Sequence, residues 1–275
     1  MKIEAHRKIV LGAILALLFI PLLTHTAHGD DWVSEFKLTA GIHAAAFDQF
    51  GYSVDISGDT AVVGVPIGES AYVYRFDGTD WKQEKQLVAP TFYFGWDVAI
   101  NGDTLVVSGF NYLWLHGSVY VFTRSGDSWD DGQELITGPG VGASVAVSGD
   151  TAVVGAPSSL SLLSQLPSGP NAVYVLRKQN DGTWQNQNLS TPAVDGFGAS
   201  VAISGDRLVV GAPTDDVVCP DAPSCNSGSV YLFRYDGENW VQDPLQPTLI
   251  PTVAPSPEQF DQFGWAVAID SSTVV

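Results

Sequence analysis

The chain has 275 residues, of which 45% are hydrophobic and 15% are charged, a balance typical of a folded globular protein and not of a disordered one. Its formal net charge is −18 and no cluster of Lys and Arg interrupts this acidity, so nucleic acid and anionic lipid are disfavoured as partners. The 28 Gly and 16 Pro residues separate short runs rich in Val, Ile, Tyr and Phe, which indicates many short strands joined by tight turns.

Residues 1–29 are predicted to be a secretory signal peptide. Three basic residues precede an apolar run over 9–23, and these are Lys2, Arg7 and Lys8. Ala27 and Gly29 are the small residues expected before a cleavage at Asp30. The apolar run is short for a membrane span, which needs about 20 residues, although a retained anchor is the alternative. Removal of this segment would change the net charge from −18 to −20, because three basic residues and one acidic residue are lost.

Residues 30–47 are predicted to form an isolated outer strand followed by a linker. Within the strand, which we place at Asp31–Ala40, Trp32 and Leu38 are six positions apart. The same spacing recurs at Trp81–Leu87, where it marks the fourth strand of a repeated unit. We therefore expect residues 31–40 to be a fourth strand whose three partners lie elsewhere.

The remainder of the chain is a series of repeats. Five segments begin alike, and the steps between their glycines lengthen along the chain: Phe50–Val54, Phe94–Val98, Val141–Val145, Phe197–Val201 and Phe263–Val267. They place units at 48–92, 93–138, 139–193, 194–260 and, in part, 261–275. Four-stranded units of this length are typical of propeller blades, because no single blade buries both of its faces. The sequence therefore predicts an all-β fold, a β-propeller of four-stranded blades.

The third unit shows the strand pattern clearly. We expect strands at 144–147, 151–156 and 172–177, and a fourth strand that carries Trp184 and Leu189. A Ser-Gly-Asp turn joins the first two strands, and an Asp-Gly hairpin turn joins the last two.

Two residue types recur at fixed places in the units. Aspartates close the first turn, and we interpret them as turn residues rather than as ligands or catalytic acids: Asp59, Asp103, Asp150 and Asp206. Tryptophans follow the hairpin turn, and we expect them to pack in the core rather than to form a ligand cage: Trp81, Trp129, Trp184 and Trp240. A residue that recurs in every unit is better explained by the architecture than by a single site.

These units resemble FG-GAP repeats, the blades of the integrin α-subunit N-terminal propeller and of many secreted bacterial proteins. In the fourth unit, Phe197-Gly198 matches the "FG" and Gly211-Ala212-Pro213 matches the "GAP". The resemblance covers residues 31–275 and is specific for the fold rather than for function. Departures from the pattern occur in the first three units: Gly64-Val65-Pro66, Ser108-Gly109-Phe110 and Val141.

The resemblance implies a closed ring, of which the sequence contains four whole blades and two partial ones. In such rings an orphan outer strand completes the last blade, and residues 31–40 would have this role. The unit at 261–275 stops inside its second strand, which would leave an unpaired edge. We therefore expect the sequence to be a C-terminally truncated fragment of a ring that resembles the seven-bladed members of the family.

The loops after the second strands contain little that would hold a metal. Integrin-like blades often bind calcium in a D-x-D-x-D-G loop. The loop at 158–171 has no acidic residue, and the next loop has Asp215, Asp216 and Asp221 in a different spacing. Calcium is therefore a minor alternative, and we predict no metal and no cofactor. Cys219 and Cys225 are predicted to close this loop as a disulfide in an oxidising compartment.

No sequence motif of a hydrolase, a zinc enzyme or a phosphate-binding loop is present. His43 and His116 are the two histidines that follow the predicted signal. We therefore predict no catalytic residue and a non-enzymatic protein. A catalytic triad assembled only in space remains open, because its members need not be close in sequence.

The function expected from these features is recognition or adhesion outside the cell or at its surface, with an unidentified protein or glycan as the ligand. No membrane span is expected once the signal is removed. The longest connections, at 158–171, 214–227 and 246–260, are expected to contain the functional surface. The alternatives are a structural spacer of a larger surface protein, and a hydrolase whose catalytic residues lie beyond this sequence.

Overall fold

A computed structural model gives the fold of the chain. It describes residues 36–41, 45–111, 116–157, 170–190, 194–216, 226–245, 248–250, 261–271 and 273–275. Within these ranges the secondary structure is twenty β-strands and no α-helix. The predicted signal peptide at 1–29 and the predicted disulfide between Cys219 and Cys225 lie outside the described residues.

The strands form four antiparallel sheets in chain order, with a fifth begun at the C-terminal end. Blade one contains β1 Val54–Ser57, β2 Thr60–Val65, β3 Ser70–Phe76 and β4 Trp81–Leu87. Blade two contains β5 Phe94–Asn101, β6 Thr104–Asn111, β7 His116–Ser125, β8 Ser128–Trp129 and β9 Gln133–Pro139. Blade three contains β10 Ser144–Ser148, β11 Thr151–Ala156, β12 Ala172–Lys178 and β13 Trp184–Ser190. Blade four contains β14 Ser200–Ser204, β15 Arg207–Ala212, β16 Ser229–Tyr235, β17 Trp240–Gln242 and β18 Thr248–Leu249. The last sheet contains β19 Ile269–Asp270 and β20 Thr273–Val274.

The predicted fold is confirmed: the protein is an all-β propeller of four-stranded blades. In blades one and three, each strand pairs with the next one along the chain. In blade three, the first three strands lie within one residue of their predicted limits, and the fourth contains the predicted Trp184 and Leu189. In blades two and four the outermost position is divided between two strands, the two-residue β8 with the seven-residue β9 and the short β17 with the short β18. The first strands of successive blades contact each other, so they lie at the centre of the array and the fourth strands lie at its periphery.

Alternating side chains pack successive blades against one another. On blade one, Val62 and Val73 join the core shared with blade two, while Val63 and Tyr72 point to the opposite side. Blades two and three share a second core, and blades three and four share a third. Because strand side chains alternate between faces, a blade that is buried on both faces shows continuous apolar runs such as that of β2, which is buried throughout.

The repeated glycines are explained by contact between neighbouring blades. A Cβ atom on Gly155 would lie 2.0 Å from the carbonyl oxygen of Gly198 in the next blade, and one on Gly211 would lie 2.0 Å from that of Gly264. Real Cβ contacts are not this short, so only glycine permits the backbones to approach so closely. The glycine of the "GAP" segment and the glycine of the following "FG" segment are therefore two halves of one contact.

A second link between blades recurs at the first turn of each unit. The side chain of the residue before the turn glycine accepts a hydrogen bond from a backbone N–H of the next blade. Four such bonds, of 2.9 to 3.1 Å, are formed: Gly102 to Ser57, Gly149 to Asn101, Gly205 to Ser148 and Ser271 to Ser204. This contact gives the Ser-Gly-Asp turn a role in aligning the blades as well as in reversing the chain.

The segment before blade one differs from its prediction. Of the strand predicted at 31–40, residues 36–40 are described, and they form no strand. They lie against the outer face of blade one instead, where Leu38 and the buried Ala40 contact the cluster of Tyr72 and Tyr74. The Tyr74 hydroxyl donates a 2.8 Å hydrogen bond to the carbonyl oxygen of Thr39. The described part of the segment therefore covers apolar area that the neighbouring blade covers in the other units.

Candidate functional site

The two ends of each blade differ in their connections. The first turn has the same short length in all four blades, at 58–59, 102–103, 149–150 and 205–206. At the opposite end, the connection between the second and third strands varies in length, from four residues at 66–69 in blade one and 112–115 in blade two to the longest at 213–228 in blade four. We call the first end the turn face and the second the loop face. The inter-blade hydrogen bonds keep the blades in one orientation, so each face is continuous from blade to blade.

Aspartate side chains organise the hairpin turns of the turn face. The Asp77 and Asp236 carboxylates each accept two backbone N–H groups within their own turns, at 2.8 and 2.9 Å. These bonds, above all those from Asp80 and Asn239, lower the pKa of the two carboxyls. The bonds hold the turns in place, and the exposed carboxylates contribute to the negative charge of this face.

Aromatic side chains mark the loop face near the centre of the array. Tyr52, Trp96 and Trp265 occupy the same position of the repeat, directly after the "FG" glycine, where blades three and four have Ala143 and Ala199. Tyr52 is 48% exposed and Trp265 is 59% exposed. The Tyr52 and Trp96 rings are 5.0 Å apart between centroids. Large rings with one polar atom suit contact with a ligand that is partly apolar and partly hydrated.

Asp97 lies next to Trp96 and Tyr52 and connects three blades. Its carboxylate accepts hydrogen bonds from the Ser53 hydroxyl at 2.8 Å, from the Val98 N–H at 3.0 Å and from the Val145 N–H at 2.7 Å. Burial raises the pKa of Asp97 to about 6, and the bond from Val145 is the strongest influence in the opposite direction. After burial itself, the charge of Asp97 also raises the pKa of Tyr52.

A buried carboxylate lies at the base of the connection at 213–228, of which residues 213–216 and 226–228 are described. Asp215 is 6% exposed and accepts hydrogen bonds from the Ser229 hydroxyl at 2.5 Å and from the Tyr231 hydroxyl at 2.8 Å. Burial raises the pKa of Tyr231 to about 12, and the bond to Asp215 contributes in the same direction. The neighbouring Asp216 accepts the backbone N–H of Asn226 at 2.6 Å. These carboxylates hold the two ends of the 213–228 connection together.

Both carboxylates are engaged by protein donors, so the group of residues open to a ligand is the aromatic one. Over the part of the chain that the structure describes, no three His, Cys, Asp or Glu side chains come close enough together to hold a metal ion. The arrangement is suited to contact and stacking by Tyr52 and Trp96, with Asp97 fixing the backbone beneath them, and to contact by the exposed Trp265 at the equivalent position of the last unit.

The repeat motif is confirmed by comparison with known families. The family model of the FG-GAP repeat matches the chain at residues 32–74 and again at residues 191–233. The chain contains FG-GAP repeats. The two matches end at equivalent positions, Tyr74 in β3 and Phe233 in β16, which lie in the same strand of their respective blades. No curated protein matches the chain.

The chain also matches solved structures, at low identity and with TM-scores below 0.5. Hydrazine synthase of Kuenenia stuttgartiensis is 14% identical, with a TM-score of 0.46, over 66% of this chain and 52% of its own. A Lactobacillus plantarum protein is 14% identical, with a TM-score of 0.47, over 74% of this chain and 57% of its own. A functionally unknown protein from Desulfotomaculum acetoxidans is 10% identical, with a TM-score of 0.47, over 73% and 56%. The chain therefore spans little more than half the length of these proteins, and similarity at this level says nothing about its activity.

The other residues predicted from the FG-GAP pattern can be located in part. The four turn aspartates lie in the first turns as predicted, where their backbone carbonyls accept N–H bonds of 2.8 to 2.9 Å from the ends of the third strands. Three of the tryptophans pack in the inter-blade clusters, and Trp81 packs in the cluster that blade one forms with Leu38 and Ala40. Trp129 and Trp240 are buried and the other two are half-buried. Of the three long connections predicted to bear function, residues 158–169, 217–225, 246–247 and 251–260 lie outside the described residues. Among described segments, no helix has the length and apolar content that crossing a membrane requires.

The aromatic group on the loop face and the role of Asp97 were not found from the sequence. A signal was present: Asp97 stands where three other units have Ser53, Ser144 and Ser200. The residue before it varies between aromatic and alanine from unit to unit, although the surrounding positions repeat. A side chain that differs from unit to unit inside an otherwise regular motif indicates a position at the surface, where packing in the core does not fix its size.

Proposed function

We propose that this FG-GAP propeller is a secreted or cell-surface recognition module that binds a protein or glycan through its loop face, without catalysis. The observation that supports the proposal is the coincidence of two features on that face. Tyr52 and Trp96 contact each other at the loop end of the central strands, Trp265 occupies the equivalent position of the last unit, and the connections at the same end differ in length among the blades. On the turn face the first turns have the same length in all four blades, and the hairpin turns differ by at most three residues.

The physical basis is the division between scaffold and surface. Inter-blade cores and backbone contacts hold the blades rigidly, and connections that do not contribute to them are free to change. Exposed Tyr and Trp side chains bury a large area at a small cost in conformational entropy, so they are frequent among the residues that contribute most to binding. The net charge of −18 favours a neutral or cationic ligand surface over an anionic one.

Binding would be sought by applying the labelled full chain to an array of glycans and to a panel of immobilised secreted proteins. For any probe that binds, the Tyr52→Ala and Trp265→Ala variants are expected to weaken the interaction by about tenfold or more, which is the usual effect of losing a central aromatic contact. Glu238→Gln is the matched control, because Glu238 is exposed in a hairpin turn of the turn face.

The results separate recognition from the alternatives. Binding that is lost with the loop-face variants and kept with Glu238→Gln supports the proposal. Binding that is unaffected by both aromatic substitutions overturns the assignment of the loop face, and the lack of any bound probe favours a spacer. Export is tested separately, by determining the N-terminus of the protein recovered outside the producing cell, where the predicted first residue is Asp30.

A further inference from the structure

The fourth strand of blade three has an open edge. β13 pairs with β12 through seven consecutive residue pairs, from Ala172 with Ser190 to Lys178 with Trp184, and the register contains no bulge. No strand in the described residues pairs with its other side. In an antiparallel strand, alternate residues direct their N–H and C=O groups away from the partner, so this edge presents a row of unpaired backbone groups to the outside.

The equivalent edges of the other blades are protected. β4 carries Lys82, Glu84 and Lys85 and is paired across a bulge. β9 carries Glu134, ends in Pro139 and also faces a bulge. In blade four the edge is divided between β17 and β18, which have three and two residues. Charges, proline, bulges and short strands are the means by which proteins prevent an edge from pairing with another chain.

β13 has none of these protections. Its sequence is Trp-Gln-Asn-Gln-Asn-Leu-Ser, without a charged residue or proline. Gln185, Asn186 and Asn188 are exposed. Gln187 instead binds the backbone of Trp240 in blade four through two hydrogen bonds of 2.8 and 2.9 Å, which ties the strand to its neighbour. The edge is therefore long, regular and electrically neutral.

We propose that the β13 edge is an interface at which a second copy of this chain binds, with the two β13 strands pairing antiparallel across a twofold axis. If the axis passes through Gln187, Asn186 of each copy lies opposite Asn188 of the other. Each side-chain amide offers both donors and an acceptor, so a strand of Gln and Asn is complementary to itself. Each copy has one such edge among its described strands, and pairing of the two edges closes the assembly at a dimer.

The charge of the molecule agrees with this choice of site. Two copies that each carry −18 repel each other at most orientations. β13 itself is neutral, and Arg177 and Lys178 lie at the end of the adjoining strand β12, so approach at this edge meets less repulsion than elsewhere. Added salt is expected to strengthen the dimer, because it screens the repulsion of the two molecules and leaves the backbone hydrogen bonds intact.

The test is sedimentation velocity of the full chain over a wide concentration range, with Asn186→Lys as the edge variant. Its matched control is Gln83→Lys, at the equivalent exposed position of β4. We expect the parent chain and the control to dimerise with the same dissociation constant and Asn186→Lys to dimerise at least about tenfold more weakly. Both substitutions reduce the negative charge equally, so a general effect of charge would change them alike.

Circular dichroism and hydrogen exchange keep the result interpretable. Asn188→Lys provides a second edge variant if Asn186→Lys does not fold. Slower exchange of β13 amides at high concentration than at low concentration is expected for the parent chain. The proposal is overturned if the chain is monomeric at all concentrations, if both edge variants dimerise as the parent does, or if β13 amides are equally protected in the monomer, since another segment of the same chain would then cover the edge.

Discussion

Replacing Gly155 by alanine is the most direct perturbation of the contact between blades. The new Cβ would lie 2.0 Å from the Gly198 carbonyl oxygen, whereas ordinary contact begins at 3.4 Å, so blade four has to move away by most of that difference. Gly198 follows the fully buried Phe197, whose ring packs 5.5 Å from that of Tyr231. The clash is with backbone, which has no flexible end to turn aside. We expect a loss of about 3 kcal/mol, the upper part of the range for overpacking.

Urea unfolding followed by tryptophan fluorescence measures this loss as a shift of the midpoint at unchanged slope. Gly149→Ala in the same blade is the control, because Gly149 has φ +54° and nothing within 4 Å of its added Cβ. Gly149→Ala is expected to lose about 1 kcal/mol of stability, because alanine is strained in the left-handed backbone conformation of this position. If Gly155→Ala loses no more stability than Gly149→Ala, close backbone approach does not limit how the blades pack, and the explanation of the repeated glycines is refuted.

Three other substitutions test individual contacts. Because the pKa of Asp97 is raised, the folded chain binds this proton more tightly than the unfolded chain, so stability should fall as pH rises from 3.8 through about 6. In the Asp97→Ser variant, the melting temperature should depend less on pH over that window. A pH profile identical to that of the parent chain would contradict this. Arg124→Met breaks the 2.7 Å ion pair between Arg124 and Glu84, whose side chains are 6% and 17% exposed, respectively. Thermal unfolding should show a loss of about 2–3 kcal/mol in the free energy of unfolding. No loss would mean that the pair does not stabilise the fold. Tyr231→Phe removes one of the two hydroxyls bonded to the buried Asp215 and should cost about 1–2 kcal/mol in urea unfolding, whereas a neutral effect would show that water replaces the hydroxyl.

The strands of blade three show how far local sequence rules extend. Glycines at the turns, short apolar runs and the hairpin Asp-Gly place β10, β11 and β12 within one residue of their observed limits. These features depend on neighbours in sequence, since turn conformation and the alternation of side chains are local properties. The recurrence of the pattern then indicates blades, because a four-stranded unit with two apolar faces requires neighbours.

Residues 36–40 show where such rules fail. Trp32 and Leu38 have the spacing of a fourth strand, but a strand also needs a partner to bond to, and the described part of this segment lies on the face of blade one instead. The spacing shows which side chains are apolar, but it does not show which surface they pack against. Asp97 is a similar case, since the repeat places it where other units have a serine and does not show that its bonds come from Ser53 in one blade and Val145 in another.

The sequence alone determined the repeat, the strand order within a blade and the identity of the turn residues, because each of these depends on contacts within about fifty residues of chain. Only the tertiary structure decided what the motif glycines are for, which acids are buried, which face bears the exposed rings and which outer strand is left open. Each of those properties is a relation between two blades, or between a blade and solvent. Gly155 and Gly198 belong to different units of the repeat, and nothing in either segment shows that one backbone rests on the other.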